Sequence, residues 1–308
     1  MGKAPFFLVT GFLGSGKTTL LDKIIDKFSD SCRIGVIQNE FAPGSVDGSK
    51  LKQKDKHFEI LEVNNGSVFC VCLLGSFVKS LVVFLDTHQP DIVVMEASGL
   101  SDPISIGEML HSPELTEKLY LSHIWSVVDS SSFQHLAKNN PRIQHQVRIA
   151  DTVLVNKTDR SGTGMEEIQE WIRTLNPFAA IKETRWCDTS LELAESPFSM
   201  APVASRQEEV FARLEQSGRP EVGSYVIKMT QRITTENLEC FLDELSPGSW
   251  RIKGFVLLNE GGAMAVQSCF GETKTELLSV YDAPTELIGI GPGISKASFG
   301  DRFGELLK

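Results

Sequence analysis

Short apolar runs and stretches of helical periodicity alternate through roughly the first 190 residues of the chain. Runs near 5–10, 33–38, 58–63, 91–96, 123–128 and 151–155 have the length and apolar density of buried strands. After the first run, Leu20, Leu21, Ile24, Ile25 and Phe28 recur at the spacing of one helix face. Helices are also expected around 74–88, 104–120, 131–138 and 164–175. Strand–helix alternation of this kind predicts an α/β fold, a doubly wound and mostly parallel sheet covered on both faces. Ligands of such sheets bind beyond the strand carboxyl ends.

Residues 191–222 break the pattern. Pro197, Pro202 and Pro220 punctuate a polar stretch with room for one short helix at 206–216, which reads as an interdomain connection. Beyond it, strand patterns at 224–232, 250–258, 263–270 and 286–290 surround a helical pattern at 235–245. A small α+β domain over 223–308 is expected, following a larger α/β domain over 1–190. The run Gly289-x-Gly291-x-Gly293 is read as a turn.

Composition narrows the classes of function. The chain has 308 residues, 41% of them hydrophobic, enough for two cores, and a formal net charge of −10. That balance disfavours nucleic acid as a partner, because phosphate neutralisation needs clustered Lys and Arg. No apolar run reaches membrane-spanning length, and the chain enters its first strand too soon for a signal peptide. The 6 cysteines show no spacing of a secreted disulfide framework. A cytoplasmic protein with reduced thiols is expected, with Cys32, Cys187, Cys240 and Cys269 packing singly.

Three motifs carry the chemistry. Gly11-Phe12-Leu13-Gly14-Ser15-Gly16-Lys17-Thr18 matches G-x-x-x-x-G-K-[ST] between a strand and a helix. In that setting backbone N–H groups and a helix N-terminus face phosphate, which assigns Gly14, Ser15, Gly16, Lys17, Thr18 and Thr19 to the nucleotide. Lys17 is expected to reach the β- and γ-phosphates, and the Thr18 hydroxyl to ligate Mg²⁺. Asn156-Lys157-Thr158-Asp159 follows the apolar run at 151–155. The Asp159 carboxylate can accept from the N1–H and 2-amino groups of guanine together, donors that adenine does not pair at that edge. Between these motifs, the strand at 91–96 ends in Glu96, with Gly99 three residues on. The carboxylate can hold the Mg²⁺ shell, and the Gly99 N–H can point at a γ-phosphate.

Glu96-Ala97-Ser98-Gly99-Leu100-Ser101-Asp102-Pro103 resembles the signature of the CobW/HypB/UreG group of GTPases. The CobW branch matches best, through the phosphate loop, Asn39-Glu40-Phe41 with Val46-Asp47-Gly48, and the segment Trp250-Arg251-Ile252-Lys253-Gly254-Phe255. The resemblance implies a GTPase that cycles between GTP and GDP with Mg²⁺, in which Lys17, Glu96 and Gly99 serve turnover. It also implies a transition-metal site. Where the branch carries a cysteine cluster, this chain has Asn64-Asn65-Gly66-Ser67-Val68-Phe69-Cys70-Val71-Cys72.

Ser67 and Phe69 replace the first two cysteines of that cluster, and Cys72 is an addition. Two thiolates at this spacing bind a soft or borderline ion without completing a tetrahedral zinc shell. Glu40 is the leading further ligand for zinc or cobalt, and His111 another. Cys70 and Cys72 also read as small buried hydrophobes beside Val68 and Leu73. Asp47 lies in a loop suited to sensing the γ-phosphate, and Asp102 in position to cap a helix.

Two functions follow. One is a GTPase whose nucleotide state gates delivery of zinc or cobalt to a client metalloprotein. The other is a GTP-regulated interaction switch with structural cysteines. A homodimer is compatible with either.

Overall fold

A computed structural model of the chain describes residues 3–39, 58–63, 71–99, 106, 109–110, 112–160, 164–176, 178–191, 222–269, 271–281, 283–292 and 294–307. The chain divides into two compact units, Met1–Leu193 and Ala194–Lys308. Glu40, Asp47, Cys70, Asp102 and His111 lie outside the described residues.

The first unit is an α/β layer structure on a seven-stranded parallel sheet. Its strands are β1 (Ala4–Gly11), β2 (Ile34–Asn39), β3 (Phe58–Val63), β4 (Ile92–Glu96), β5 (Leu119–Asp129), β6 (Thr152–Asn156) and β7 (Ala180–Glu183), in the order β3-β2-β4-β1-β5-β6-β7. Both central neighbours of β1 run parallel to it, with Phe6 opposite Val93 on β4 and Val9 opposite Trp125 on β5. The strands are apolar on both faces because helices cover both. These include α1 (Lys17–Phe28), α2 (Val71–His88), α3 (Pro113–Thr116), α4 (Phe133–Asn139), α5 (Pro141–Arg148) and α6 (Met165–Leu175).

Leu20, Leu21, Ile24 and Ile25 of α1 are fully buried against Val9, Val36, Val94 and Val127. That is the face the sequence spacing gives. Phe7 stacks on Trp125 with ring centroids 5.5 Å apart, joining β1 to β5 in the same core. The backbone of Cys72 lies in the first turn of α2.

The structure departs from the sequence reading at several places. The helix expected at 104–120 is met in part, by helical residues at Ile106, Met109 and Leu110 and by α3, and it ends before Leu119, where β5 begins and runs for 11 residues. Tyr120, Ser122 and His123 hid only the start of that strand, whose apolar part near 123–128 is expected from sequence. A separate helix, α5, follows α4 after Asn140, whose side chain caps it by accepting from the Arg142 N–H at 3.1 Å. The four-residue β7 was too short to stand out.

The second unit is a five-stranded antiparallel sheet with helices. Its strands β8 (Val222–Met229), β9 (Arg251–Leu257), β10 (Ala263–Cys269), β11 (Glu272–Leu278) and β12 (Thr285–Pro292) lie in the order β11-β10-β9-β12-β8. Helix α7 (Thr235–Leu245) is capped by Thr234, which accepts from the Asn237 N–H. A π-helical turn at Lys296–Asp301 leads into α8 (Arg302–Glu305). Phe241 meets Phe299 and Phe303 edge-on at 5.1 and 5.0 Å, the centre of this unit's core.

The glycine run expected to turn here instead lies in β12 up to Pro292. A Cβ on Gly289 would sit 2.6 Å from the Phe299 ring. Glycine there makes room for an aromatic ring rather than reversing the chain. Cys240, expected to pack, is exposed on α7.

Candidate nucleotide site

The carboxyl ends of β1, β4, β5 and β6 meet where the sheet order reverses direction around β1. The phosphate loop leaves β1 at Gly11 and enters α1 at Lys17. Gly14 and Gly16 have φ of 74° and 117°, left-handed values that glycine adopts without a Cβ clash. A side chain at Gly16 would also fail sterically, since its Cβ would lie 2.5 Å from Asn156 Nδ2. The loop is therefore shaped as much by the segment after β6 as by its own turns.

That segment is bonded directly to the loop. Asn156 Nδ2 donates to Ser15 O at 2.9 Å, and Lys157 Nζ donates to Gly14 O at 2.7 Å. Lys157 also pairs with Asp129 Oδ2 at 2.7 Å, at the end of β5. Burial pushes the Asp129 carboxyl up, but hydrogen bonds from Lys157 and Ser131 outweigh it and hold the group below the ordinary aspartate range. A depressed carboxyl contributes stability above its unfolded pKa, lost as pH falls through the folded value, so this tie persists well into acid. Asp159 is exposed on a short 3₁₀ turn, Thr158–Arg160, beside these groups.

On the other side of the loop stands the end of β4. Thr18 Oγ1 donates to Glu96 Oε1 at 2.9 Å. Lys17 is buried, and its Nζ donates to Phe12 O at 3.1 Å. Burial pushes the Lys17 pKa down, opposed by the nearby Glu96 carboxylate. A polyphosphate placed here would oppose that depression further. Gly99 is buried against the loop so closely that a Cβ would lie 2.5 Å from the Leu13 backbone N.

A hydroxyl and a carboxylate facing each other beside a buried ammonium are hard oxygen donors of the kind that suit Mg²⁺, which takes few protein ligands and keeps water. The Ser15 hydroxyl is buried without a hydrogen-bond partner among the described residues. Residues present and chemistry required fit one another.

The structure thus gathers Gly14, Ser15, Gly16, Lys17, Thr18, Glu96, Gly99, Asn156 and Lys157 through direct contacts, with Asp159 on the adjoining turn. Thr19 continues α1 behind them. Glu40, Cys70 and the Cys72 side chain are not among the described groups.

Sequence reading passed over two contributors. Asp129 was detectable as an acid at the carboxyl end of a buried strand. The turn Thr184–Asp188 carried no motif, yet it grips the same asparagine. Asn156 Oδ1 accepts from Thr184 Oγ1 at 3.1 Å and from the Cys187 N–H at 2.9 Å.

A glycine loop between a strand and a helix, at the reversal point of a doubly wound sheet, defines a P-loop nucleotide-binding fold. The chain belongs to the CobW/HypB/UreG family, whose nucleotide-binding domain matches residues 5–183.

Among curated relatives, it is 27% identical over 197 residues to the zinc chaperone CobW of Sinorhizobium sp, covering 55% of each chain. It is 30% identical over 219 residues to zinc-regulated GTPase metalloprotein activator 1 of Saccharomyces cerevisiae, covering 62% of this chain and 50% of that protein. The chain therefore spans about half the length of these curated relatives. Among solved structures, Zn(II)-bound YjiA GTPase from E. coli superposes with a TM-score of 0.66 at 22% identity, covering 100% of both chains, and so shares the fold.

Proposed function

We propose that this chain binds GTP with Mg²⁺, hydrolyses it to GDP and phosphate, and couples that cycle to carrying zinc or cobalt to a client metalloprotein. The observation that carries the reading is the bonding of Asn156 and Lys157 to the phosphate loop at Ser15 and Gly14. It joins base recognition and phosphate binding in one rigid constellation. In this reading residues 1–190 form the GTPase domain, 191–222 the connection and 223–308 a small α+β domain of the CobW type.

Gly14, Ser15 and Gly16 present backbone amides to the phosphates, with Thr19 behind them in the first turn of α1. Lys17 supplies positive charge to the β- and γ-phosphates. Thr18 and Glu96 would hold Mg²⁺, which when bound neutralises charge developing on the phosphates. The Gly99 amide addresses the γ-phosphate, and Asp159 reads guanine. No residue among those described stands out as a base for the attacking water, so turnover without a partner is slow.

The metal half of the proposal draws support from relatives named as zinc chaperones and as a zinc-regulated GTPase. Glu40, Cys70 and Cys72 are the residues assigned to the cargo ion. Among the described residues no helix is long and apolar enough to cross a membrane.

The nucleotide half is tested by hydrolysis assays with Mg²⁺ and either GTP or ATP, and with Thr18→Ala. GTP should be turned over in preference to ATP. Loss of groups that merely support a metal ligand lowers metal affinity by roughly 10–100-fold. Thr18→Ala should raise the Mg²⁺ needed for half-maximal rate at least about tenfold. ATP preference, or an unchanged Mg²⁺ requirement, would count against the assignment.

A further inference from the structure

The turn after β7 holds a tryptophan in a left-handed conformation and leaves its side chain exposed. Asp188 N–H donates to Arg185 O at 3.0 Å, closing a four-residue turn. Its two central residues, Trp186 and Cys187, have φ of 54° and 52°. Positive φ at both central positions is the pattern of a type I′ turn, where Asn-Gly is the usual occupant. A bulky side chain in that region is strained and persists only where its surroundings impose it.

Cys187 is amply held. Its amide donates to Asn156 Oδ1, its thiol donates to Gly16 O at 3.3 Å, and its side chain is fully buried in the core behind the phosphate loop. Its flanks are fixed too. Thr158 N–H donates to Thr184 O at 3.3 Å, Lys23 pairs with Asp188 at 3.1 Å, and Lys27 bonds Leu191 O. The turn is thus bonded to the base-reading segment, to the phosphate loop and to α1 at once. Trp186 is the exception, 70% exposed.

The bonds of Cys187 impose the turn, and they leave an exposed indole on a segment bonded to both Asn156 and Thr158, next to the base-reading residues. We propose that Trp186 is a nucleotide-binding residue whose indole stacks on the purine base, closing the base site on the side away from the phosphates. The proposal rests on the guanine-nucleotide reading above and adds a specific wall to it. Flat aromatic contact is tolerant of base identity, so Trp186 supplies affinity while Asp159 supplies the choice of guanine.

The test uses the full chain with Mg-GDP, comparing wild type, Trp186→Phe and Trp186→Gly. Calorimetry should show Trp186→Gly binding GDP about tenfold more weakly, within the range for loss of one base stack, and Trp186→Phe nearly as tightly as wild type. Affinity for inorganic tripolyphosphate, measured by competition, should be unchanged in all three. Tryptophan emission should change when GDP binds to wild type and stay constant when it binds to Trp186→Phe.

Glycine relieves the positive φ, so a folding defect in Trp186→Gly is not expected. Unchanged GDP affinity in Trp186→Gly would overturn this inference alone. So would parallel loss of GDP and tripolyphosphate affinity, which would mark Trp186 as a support for the phosphate loop. A wild-type protein that binds no guanine nucleotide would overturn the underlying reading as well.

Discussion

Lys17→Ala should reduce Mg-GTP turnover by at least about 10²–10³-fold, the usual cost of losing one positioned electrostatic group, while leaving the protein as stable as before. The two halves of this expectation come from the same geometry. Lys17 is buried, with Phe12 O as its hydrogen-bond acceptor at 3.1 Å, and burial lowers its pKa from the ordinary lysine value of 10.5. A lysine whose pKa falls on folding costs stability below the folded pKa, and that cost fades as pH rises toward 10.5.

Removing the ammonium therefore relieves the folded protein of a poorly solvated charge. What is lost is the counter-charge for a triphosphate. Steady-state hydrolysis and thermal melting on the same preparation check both halves. Undiminished hydrolysis would refute the phosphate-loop assignment. A large fall in melting temperature would show that Lys17 holds the loop together rather than the ligand.

Asp159→Asn should move the preference from GTP toward XTP, with a swing of about 100-fold in the ratio of affinities. A carboxylate accepts from N1–H and the 2-amino group of guanine together. An asparagine amide keeps one acceptor and gains a donor, which suits the carbonyl that replaces the amino group in xanthine. Bidentate pairing of a side chain with a base edge is worth about 1–3 kcal/mol of discrimination, and the substitution both removes one match and creates another.

Asp159 is exposed, so the change should not disturb folding. Competition binding of GTP and XTP measures the ratio directly. Retained GTP preference would mean that another residue reads the base.

The candidate nucleotide site was legible in sequence because its parts are local. Gly11–Thr18 and Asn156–Asp159 are each continuous, and each follows an apolar strand, so topology alone brings them to one rim. What the sequence withheld is the bonding between them. That Asn156 spends its whole amide on Ser15, Thr184 and Cys187 depends on loops distant in the chain meeting at one point.

The turn at Trp186 was invisible for a different reason. Trp-Cys is the opposite of what local propensity places in a doubly left-handed turn, so the tertiary bonds of Cys187 override it. The early start of β5 at Leu119 was hidden by half-buried polar residues at an end of the strand. In the second unit, β11 is almost wholly exposed and lacks the apolar alternation by which strands are found. Gly289 looked like a turn residue, but its reason for being glycine is the Phe299 ring across the core.

The central claim is that the nucleotide governs the metal. Linkage requires that if GTP tightens the cargo site, the cargo tightens GTP by the same factor. The most direct test is the Zn²⁺ affinity of the reduced protein by chelator competition, with a Mg-GTP analogue and again with Mg-GDP. The account predicts clearly different affinities, tighter in the triphosphate state, with the difference lost when Cys70 and Cys72 are both replaced by serine and GTP binding spared. Equal affinities in the two states would contradict it, and would leave a GTP-regulated interaction switch as the function of this fold.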